Sequence, residues 1–344
     1  MTSMMALETA EAAAVCERQV ASNADLMRTL GARLRRLDAP FAATLARGSS
    51  DHAAAFGKVL FELLCATPTL SHAPSIGALY RATSQRMAGV PLITISQSGR
   101  SPDLLRASED AKAKGAFLIA IVNDTSSPLG PLADVTIPVL AGPEKSVAAT
   151  KSYIATLVAL THLAAEWSED SALLEALTGI GDILRQAAKA DWSAAASALV
   201  HSESLLVLGR GYTSPIAAEA ALKLKETAGL HAEAFSVAEV AHGPMTLVGP
   251  RDPVLVFGPV DVAREGLRAR VEDFVGRGAL VFGAGSPEDF PGTAVVLPGQ
   301  RDVHPALWAI TCIQSFYTLA EAVSRGRGRD PDQPPHLSKV TSTL

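Results

Sequence analysis

Cysteine is scarce in this chain of 344 residues: only Cys16, Cys65 and Cys312 occur. They are far apart, odd in number and lack any C-x-x-C spacing. That excludes a disulfide scaffold and a cysteine zinc site, and it fits a reducing compartment. A basic surplus is also missing. Thirty Lys+Arg against thirty-five Asp+Glu leave a net charge of −5, so nothing is in place to hold a nucleic-acid backbone. Long apolar runs are absent too. The most apolar segments, Tyr153–Ala165 and Ala306–Val323, are interrupted by Thr161 and His162 and by Thr311 and Gln314. Neither is the unbroken run of about 20 residues that a membrane span needs. The N-terminus shows no basic region ahead of an apolar stretch, so no signal peptide is expected. The eight histidines never fall in an H-x-x-x-H pattern. His231, Glu233, Glu239 and His242 are the nearest approach to a metal-ligand cluster, and neither metal nor cofactor is expected.

What is present is apolar bulk: 48% hydrophobic and 19% charged residues. A large core is feasible, disorder is excluded, and the length suits two domains of ordinary size. The expectation is a cytoplasmic globular protein with no membrane or nucleic-acid partner.

The chain repeats itself. Leu45-Ala-Arg-Gly-Ser-Ser-Asp-His-Ala-Ala-Ala55 aligns with Leu208-Gly-Arg-Gly-Tyr-Thr-Ser-Pro-Ile-Ala-Ala218, and Gly115–Ile121 aligns with Gly278–Ala284. Both pairs share an offset of roughly 163 residues, which is the size of a duplicated domain rather than of a solenoid repeat. In the first half, short apolar runs at Phe41–Leu45, Pro91–Ile95, Ala116–Val122 and Val135–Val139 alternate with helical segments such as Ser50–Leu64 and Ser101–Lys114. The second half offers Ser204–Leu208, Pro253–Phe257, Ala279–Phe282 and Ala294–Leu297. Short buried strands separated by helices predict an α/β protein with doubly wound parallel sheets. A helical leader over about Thr9–Leu37, a bridging helix near Ser171–Lys189 weakened by Gly179 and Gly181, and an irregular tail over Arg325–Leu344 complete the reading.

Such sheets bind ligands beyond the carboxyl ends of their strands. There the first half places Arg47-Gly-Ser49-Ser50 and Ser96-Gln97-Ser98-Gly-Arg-Ser101, each feeding a helix N-terminus. Backbone N–H groups, serine hydroxyls and the room left by Gly99 suit a phosphate, although any one of these serines could simply cap a helix. The second half has Phe257-Gly-Pro-Val-Asp261 in the corresponding place, without a hydroxyl and with a carboxylate. One sugar phosphate per chain follows. The lone G-x-G at Gly209–Gly211 is weak support for a nucleotide.

Ser96-Gln-Ser-Gly, Val147-Ala-Ala-Thr-Lys151, Ala221-Leu-Lys-Leu-Lys-Glu226, His231-Ala-Glu233, His242-Gly-Pro244 and Asp332-Gln-Pro334 with Lys339 occur in this order. Together they resemble the double sugar-isomerase (SIS) family, with the strongest likeness to the isomerase half of glucosamine-6-phosphate synthase. The resemblance runs from about Leu37 onward. It implies two tandem SIS domains, αβα sandwiches of flavodoxin-like type: a leader at 1–37, domains at 38–190 and 191–328, and an active-site tail at 329–344. About forty residues precede the first unit and position 2 is not cysteine, so the glutaminase half is expected to be lacking.

The resemblance also implies roles. Ser49, Ser50, Ser96, Gln97, Ser98 and Ser101 would cradle the phosphate of a hexose or hexosamine 6-phosphate. Ser101 replaces the family's threonine. Val147 and Ala149 would line the sugar, with Ala149 in place of a serine and Arg100 in place of a glutamate. Glu226 would carry a proton between C1 and C2, with Lys223 one helical turn before it. His242 would open the sugar ring and reach the site from a second subunit, which implies a homodimer. Lys339 would form a Schiff base. The chemistry suits the residue types: proton transfer between carbons needs a carboxylate base, ring opening needs a group titrating near neutrality, and a mobile lysine can act as nucleophile or charge. The leading expectation is a glucosamine-6-phosphate deaminase. The alternatives are a fructosamine-6-phosphate deglycase, a galactosamine-6-phosphate deaminase, and a sugar-phosphate sensor without turnover.

Overall fold

The structure is a computed structural model, and it describes residues 2–335 and 337. The chain forms two compact units. We call the one built from Ala14–Glu144 and Lys151–Gly181 the N-terminal unit. The C-terminal unit consists, among the described residues, of 2–13, Lys145–Thr150, 182–335 and 337.

In the N-terminal unit the strands are β1 (Ala42–Leu45), β2 (Thr69–Ser71), β3 (Pro91–Ser96), β4 (Phe117–Val122) and β5 (Val135–Pro138). They form one parallel sheet in the order β2-β1-β3-β4-β5. Every residue of β1, β3 and β4 is buried, which is why these strands read as continuous apolar runs. In the C-terminal unit β6 (Ser204–Gly209), β7 (His231–Ser236), β8 (Pro253–Phe257), β9 (Leu280–Ala284) and β10 (Val295–Leu297) repeat the pattern as β10-β9-β8-β6-β7. The two orders are the same once the offset is removed. Each is the doubly wound 2-1-3-4-5 arrangement, whose switch point lies between the first and third strands.

The edge strands β2 and β7 carry no apolar run. Three residues of β2 are followed by His72-Ala-Pro74, and β7 (His-Ala-Glu-Ala-Phe-Ser) is mostly half-exposed. Both stand at a sheet edge, where exposure tolerates polar residues, and here polar residues interrupt the apolar signal that marks the central strands.

The helices are α1 (Met4–Leu37), α2 (Ser49–Leu64), α3 (Pro74–Ala78), α4 (Pro102–Ala113), α5 (Leu129–Leu132), α6 (Lys151–Ser168), α7 (Ser171–Thr178), α8 (Ile180–Ala187), α9 (Ser193–Leu199), α10 (Ser214–Lys223), α11 (Leu267–Gly276) and α12 (Pro305–Gly326). The leader begins five residues earlier than the sequence indicates, and the bridging helix is broken at Gly179 into α7 and α8. Helix α6 is apolar on nearly all faces and buried on nearly all of them, as a core helix must be. It packs on α2, where a Cβ on Gly57 would come within 3.1 Å of the Leu160 side chain. In the C-terminal unit α12 supplies the core. The Trp308 indole donates to the carbonyl of Gly258 (2.8 Å), and Phe316 meets Phe257 edge-on at 5.9 Å. By length and composition α12 could cross a membrane, yet 83% of its most apolar window is buried, the signature of a core helix. All three cysteines are free thiols, and burial pushes the Cys65 thiol up to about 12.

Candidate functional site

In the N-terminal unit the serine loops follow β1 and β3, neighbouring strands on either side of the switch point. Gly48 turns the chain out of β1 with φ +56° and opens α2, so Ser49 and Ser50 fall in the first turn, whose N–H groups no helix can satisfy internally. After β3 the chain passes through Gln97, Ser98 and Gly99 before Ser101 opens α4. The Ser96 hydroxyl accepts the N–H of Gly99 at 3.1 Å, and the Ser98 hydroxyl accepts that of Arg100 at 3.3 Å. Each oxygen is thus engaged as an acceptor while its own O–H proton remains to be donated.

Ser101 stands at the N-cap of α4 but makes no capping hydrogen bond, and Gly48 caps α2 without a side chain. Simple helix capping therefore does not account for these hydroxyls. The flanking cations are already partnered: Arg47 with the buried Asp103, and Arg100 with Asp124 at 2.7 Å. Hydrogen bonds from Ser126, then from Arg100, hold the Asp124 carboxyl below the usual carboxylate range. A separate cavity of about 310 Å³, lined by Arg35, Asp38, Cys65 and Trp167 among others, holds none of the serine-loop residues.

In the C-terminal unit, the strand–loop site after β8 has no such equipment. Asp261 turns back to accept the N–H of Ala263 at 3.0 Å, and Gly209 is required because a Cβ there would meet the Thr213 carbonyl oxygen at 2.2 Å. The charged cluster of this unit lies on α10 and the turn that follows it. Lys223 is 1% exposed and sits between two carboxylates: Glu219, fully buried at 3.6 Å, and Glu226, with which it forms both an ion pair and a hydrogen bond. Tyr317 of α12 donates its hydroxyl to Glu219 at 3.2 Å.

At Leu224 the helix widens into a π-turn (Leu224–Ala228) that ends at Gly229 with φ +57°. Such turns insert one residue and redirect those that follow. Here the turn leaves the Glu226 side chain 25% exposed beside a lysine that has no exposure to speak of. The carboxylate is thus accessible from solvent while the buried cation beside it fixes its position.

Val147 and Ala149 are half-buried in Lys145–Thr150, a segment of the C-terminal unit. Glu8, 1% exposed, accepts the N–H groups of Lys145 (2.5 Å) and Ser146 (3.2 Å) there. Asp332 receives the N–H groups of Met4 and Met5, each at 2.7 Å, while its carbonyl accepts from Val147 at 3.4 Å. His242 is exposed at the end of a 3-10 turn before Gly243-Pro244. His231 and Glu233 pair at 3.5 Å on β7. Among the described residues no group of three or more His, Cys, Asp or Glu could hold a metal ion. Lys339 lies outside the described residues.

Sequence reasoning missed three residues. Glu219 precedes Lys223 by four positions on the same helix face, a legible signal. Tyr317 is far away in the chain and leaves none. Ser127 stands in the hydroxyl-rich Thr125-Ser-Ser127 after β4.

Fold and loops together define a tandem doubly wound protein whose N-terminal unit carries hydroxyl-lined loops after β1 and β3. The SIS domain pattern matches residues 38–166 and 198–280, and the chain belongs to the SIS domain family. It is 34% identical over 307 residues to glutamine–fructose-6-phosphate aminotransferase [isomerizing] of Thermococcus kodakarensis, covering 86% of this chain and 51% of that protein. The chain thus spans about half the length of the curated relatives it matches. A crystal structure of a candidate phosphosugar isomerase from Silicibacter pomeroyi DSS-3 superposes with a TM-score of 0.91 at 37% identity, covering 96% of this chain and all of that one. The C-terminal domain of glucosamine-fructose-6-phosphate aminotransferase from Francisella tularensis shares the fold, with a TM-score of 0.88 at 24% identity over 97% of this chain and 99% of that one.

Proposed function

We propose that the chain is a sugar-phosphate isomerase that works on glucosamine 6-phosphate and releases ammonia. The observation that carries this reading is Lys223 buried between Glu219 and the part-exposed Glu226. The serine loops of the N-terminal unit and the relatives named glutamine–fructose-6-phosphate aminotransferase [isomerizing] support the substrate class.

Ser49, Ser50, Ser96, Gln97, Ser98 and Ser101 bind the phosphate through hydroxyls, side-chain amide and helix N-terminal amides. His242 opens the ring by moving a proton from the anomeric hydroxyl to the ring oxygen. Glu226 takes the proton from C2 and returns it to C1, which converts the amino aldose into the ketose imine. Lys223, buried against Glu226, steadies that carboxylate and holds it in place during the transfer. Water then adds to the C2 imine and ammonia leaves, giving fructose 6-phosphate. Val147 and Ala149 line the sugar, Lys339 is the candidate for a Schiff base with the open-chain ketose, and His242 is supplied by a second copy in a homodimer.

The test is to incubate pure protein with glucosamine 6-phosphate and assay ammonia and fructose 6-phosphate. Release above that of the Glu226→Gln variant is expected, and none above it refutes the reading. Turnover of a fructosamine 6-phosphate alone would move the assignment to a deglycase, and of galactosamine 6-phosphate alone to that epimer. Mixing His242→Ala with Glu226→Gln protein should restore part of the activity. With subunit exchange verified, a failure to do so removes the shared histidine.

A further inference from the structure

One polar group beside the serine loop is left over. Ser127 is fully buried, and its hydroxyl has no hydrogen-bond partner among the described residues. It belongs to the turn after β4, which grips the loop after β3 at three points. The N–H of Asn123 donates to the carbonyl of Gln97 (3.2 Å), that of Leu129 donates to the carbonyl of Gly99 (3.3 Å), and the Arg100 guanidinium donates to Asp124 (2.7 Å). The Ser127 Oγ stands 2.0 Å from where a Cβ on residue 99 would lie. It is therefore aimed at the single glycine of the loop, which holds φ +63°. A buried hydroxyl without a partner destabilises a protein, and alanine in its place would avoid that cost. Such groups call for a reason, and functional loops are where the reason is found.

We infer that Ser127 is a positioning residue of the anion loop, one whose hydroxyl becomes satisfied only in the anion-bound form. A phosphate monoester draws the hydroxyls and amides of residues 96–101 onto its oxygens. The backbone shift turns a loop carbonyl toward Ser127, which then donates to it. A hydrogen bond made in one state and not in the other adds to the affinity for the ligand that selects that state. This rests on the anion-loop part of the proposed function and not on the isomerisation.

The experiment measures inorganic phosphate binding by calorimetry and thermal unfolding without ligand, for wild type, Ser127→Ala and Ser127→Cys. Ser127→Ala should unfold at the same or a higher temperature than wild type, yet bind phosphate about tenfold more weakly. Ser127→Cys, with its weaker S–H donor, should fall between the two in affinity. Unchanged affinity in Ser127→Ala overturns the inference, and so does weaker binding accompanied by a lower unfolding temperature, which is the mark of a packing role. If wild type binds neither inorganic phosphate nor glucosamine 6-phosphate, the anion-loop reading itself fails.

Discussion

Lys223 and Glu226 are paired across the point where α10 gives way to the π-turn, so one helix carries a fully buried cation and a part-exposed carboxylate three residues apart. The two residues should respond differently to substitution. Removing Lys223 leaves Glu219 buried without its cation, and Lys223→Ala should cost about 3–5 kcal/mol in urea unfolding. Glu226→Gln changes a group that still meets water and should cost less than about 1 kcal/mol. It should nevertheless lower turnover at least about a hundredfold, the share a positioned proton carrier supplies. Equal stability losses in the two variants would contradict the burial asymmetry.

Gly99 and Gly142 separate backbone strain from collision. Both have positive φ, but a Cβ on Gly99 would strike Ser127 and Val122, whereas one on Gly142 meets nothing within 4 Å. Gly142→Ala should lose only the conformational cost, about 1 kcal/mol. Gly99→Ala should lose more in thermal unfolding and should also abolish phosphate binding, because the loop must move to admit the methyl group.

Glu8 holds the Lys145–Ser146 backbone with a buried carboxylate. Glu8→Ala strands two N–H donors and should destabilise by about 1–3 kcal/mol, with faster hydrogen exchange at those two amides. Glu8→Gln keeps one acceptor oxygen and should recover part of the loss.

Acid stability should depend on His162, whose burial in α6 pushes its pKa down to about 4. The folded value lies below the unfolded one, so the unfolded chain binds the extra proton first. Stability is unaffected above about pH 6.5 and falls as the pH drops toward 4, by up to about 3 kcal/mol in all. Denaturation midpoints measured across that window should flatten in His162→Gln.

Much of the fold was legible because the central strands are buried on both faces and so are apolar without interruption. The runs at Phe41–Leu45, Pro91–Ile95 and Ala116–Val122 differ from β1, β3 and β4 by a residue or so at their ends. Strands β2 (Thr-Leu-Ser) and β7 (His-Ala-Glu-Ala-Phe-Ser) escaped notice because polar residues interrupt them and leave no apolar run. Ser96, Ser98 and Ser101 were legible from a local rule, that hydroxyls placed after a strand and before a helix face the ligand end of the sheet.

The amino-acid sequence determined, by itself, the duplicated plan, the parallel strands and the serine loops, since apolar periodicity, turn residues and short-range order along the chain are local properties. Only the tertiary structure decided what lies beneath them: Tyr317 against Glu219, Glu8 against Lys145 and Ser146, and Ser127 under Gly99. The first two join residues about a hundred positions or more apart, and the third joins two turns that meet only because their strands are neighbours. Contacts of this kind are fixed by the packing of whole elements, which leaves no spacing in the sequence to read.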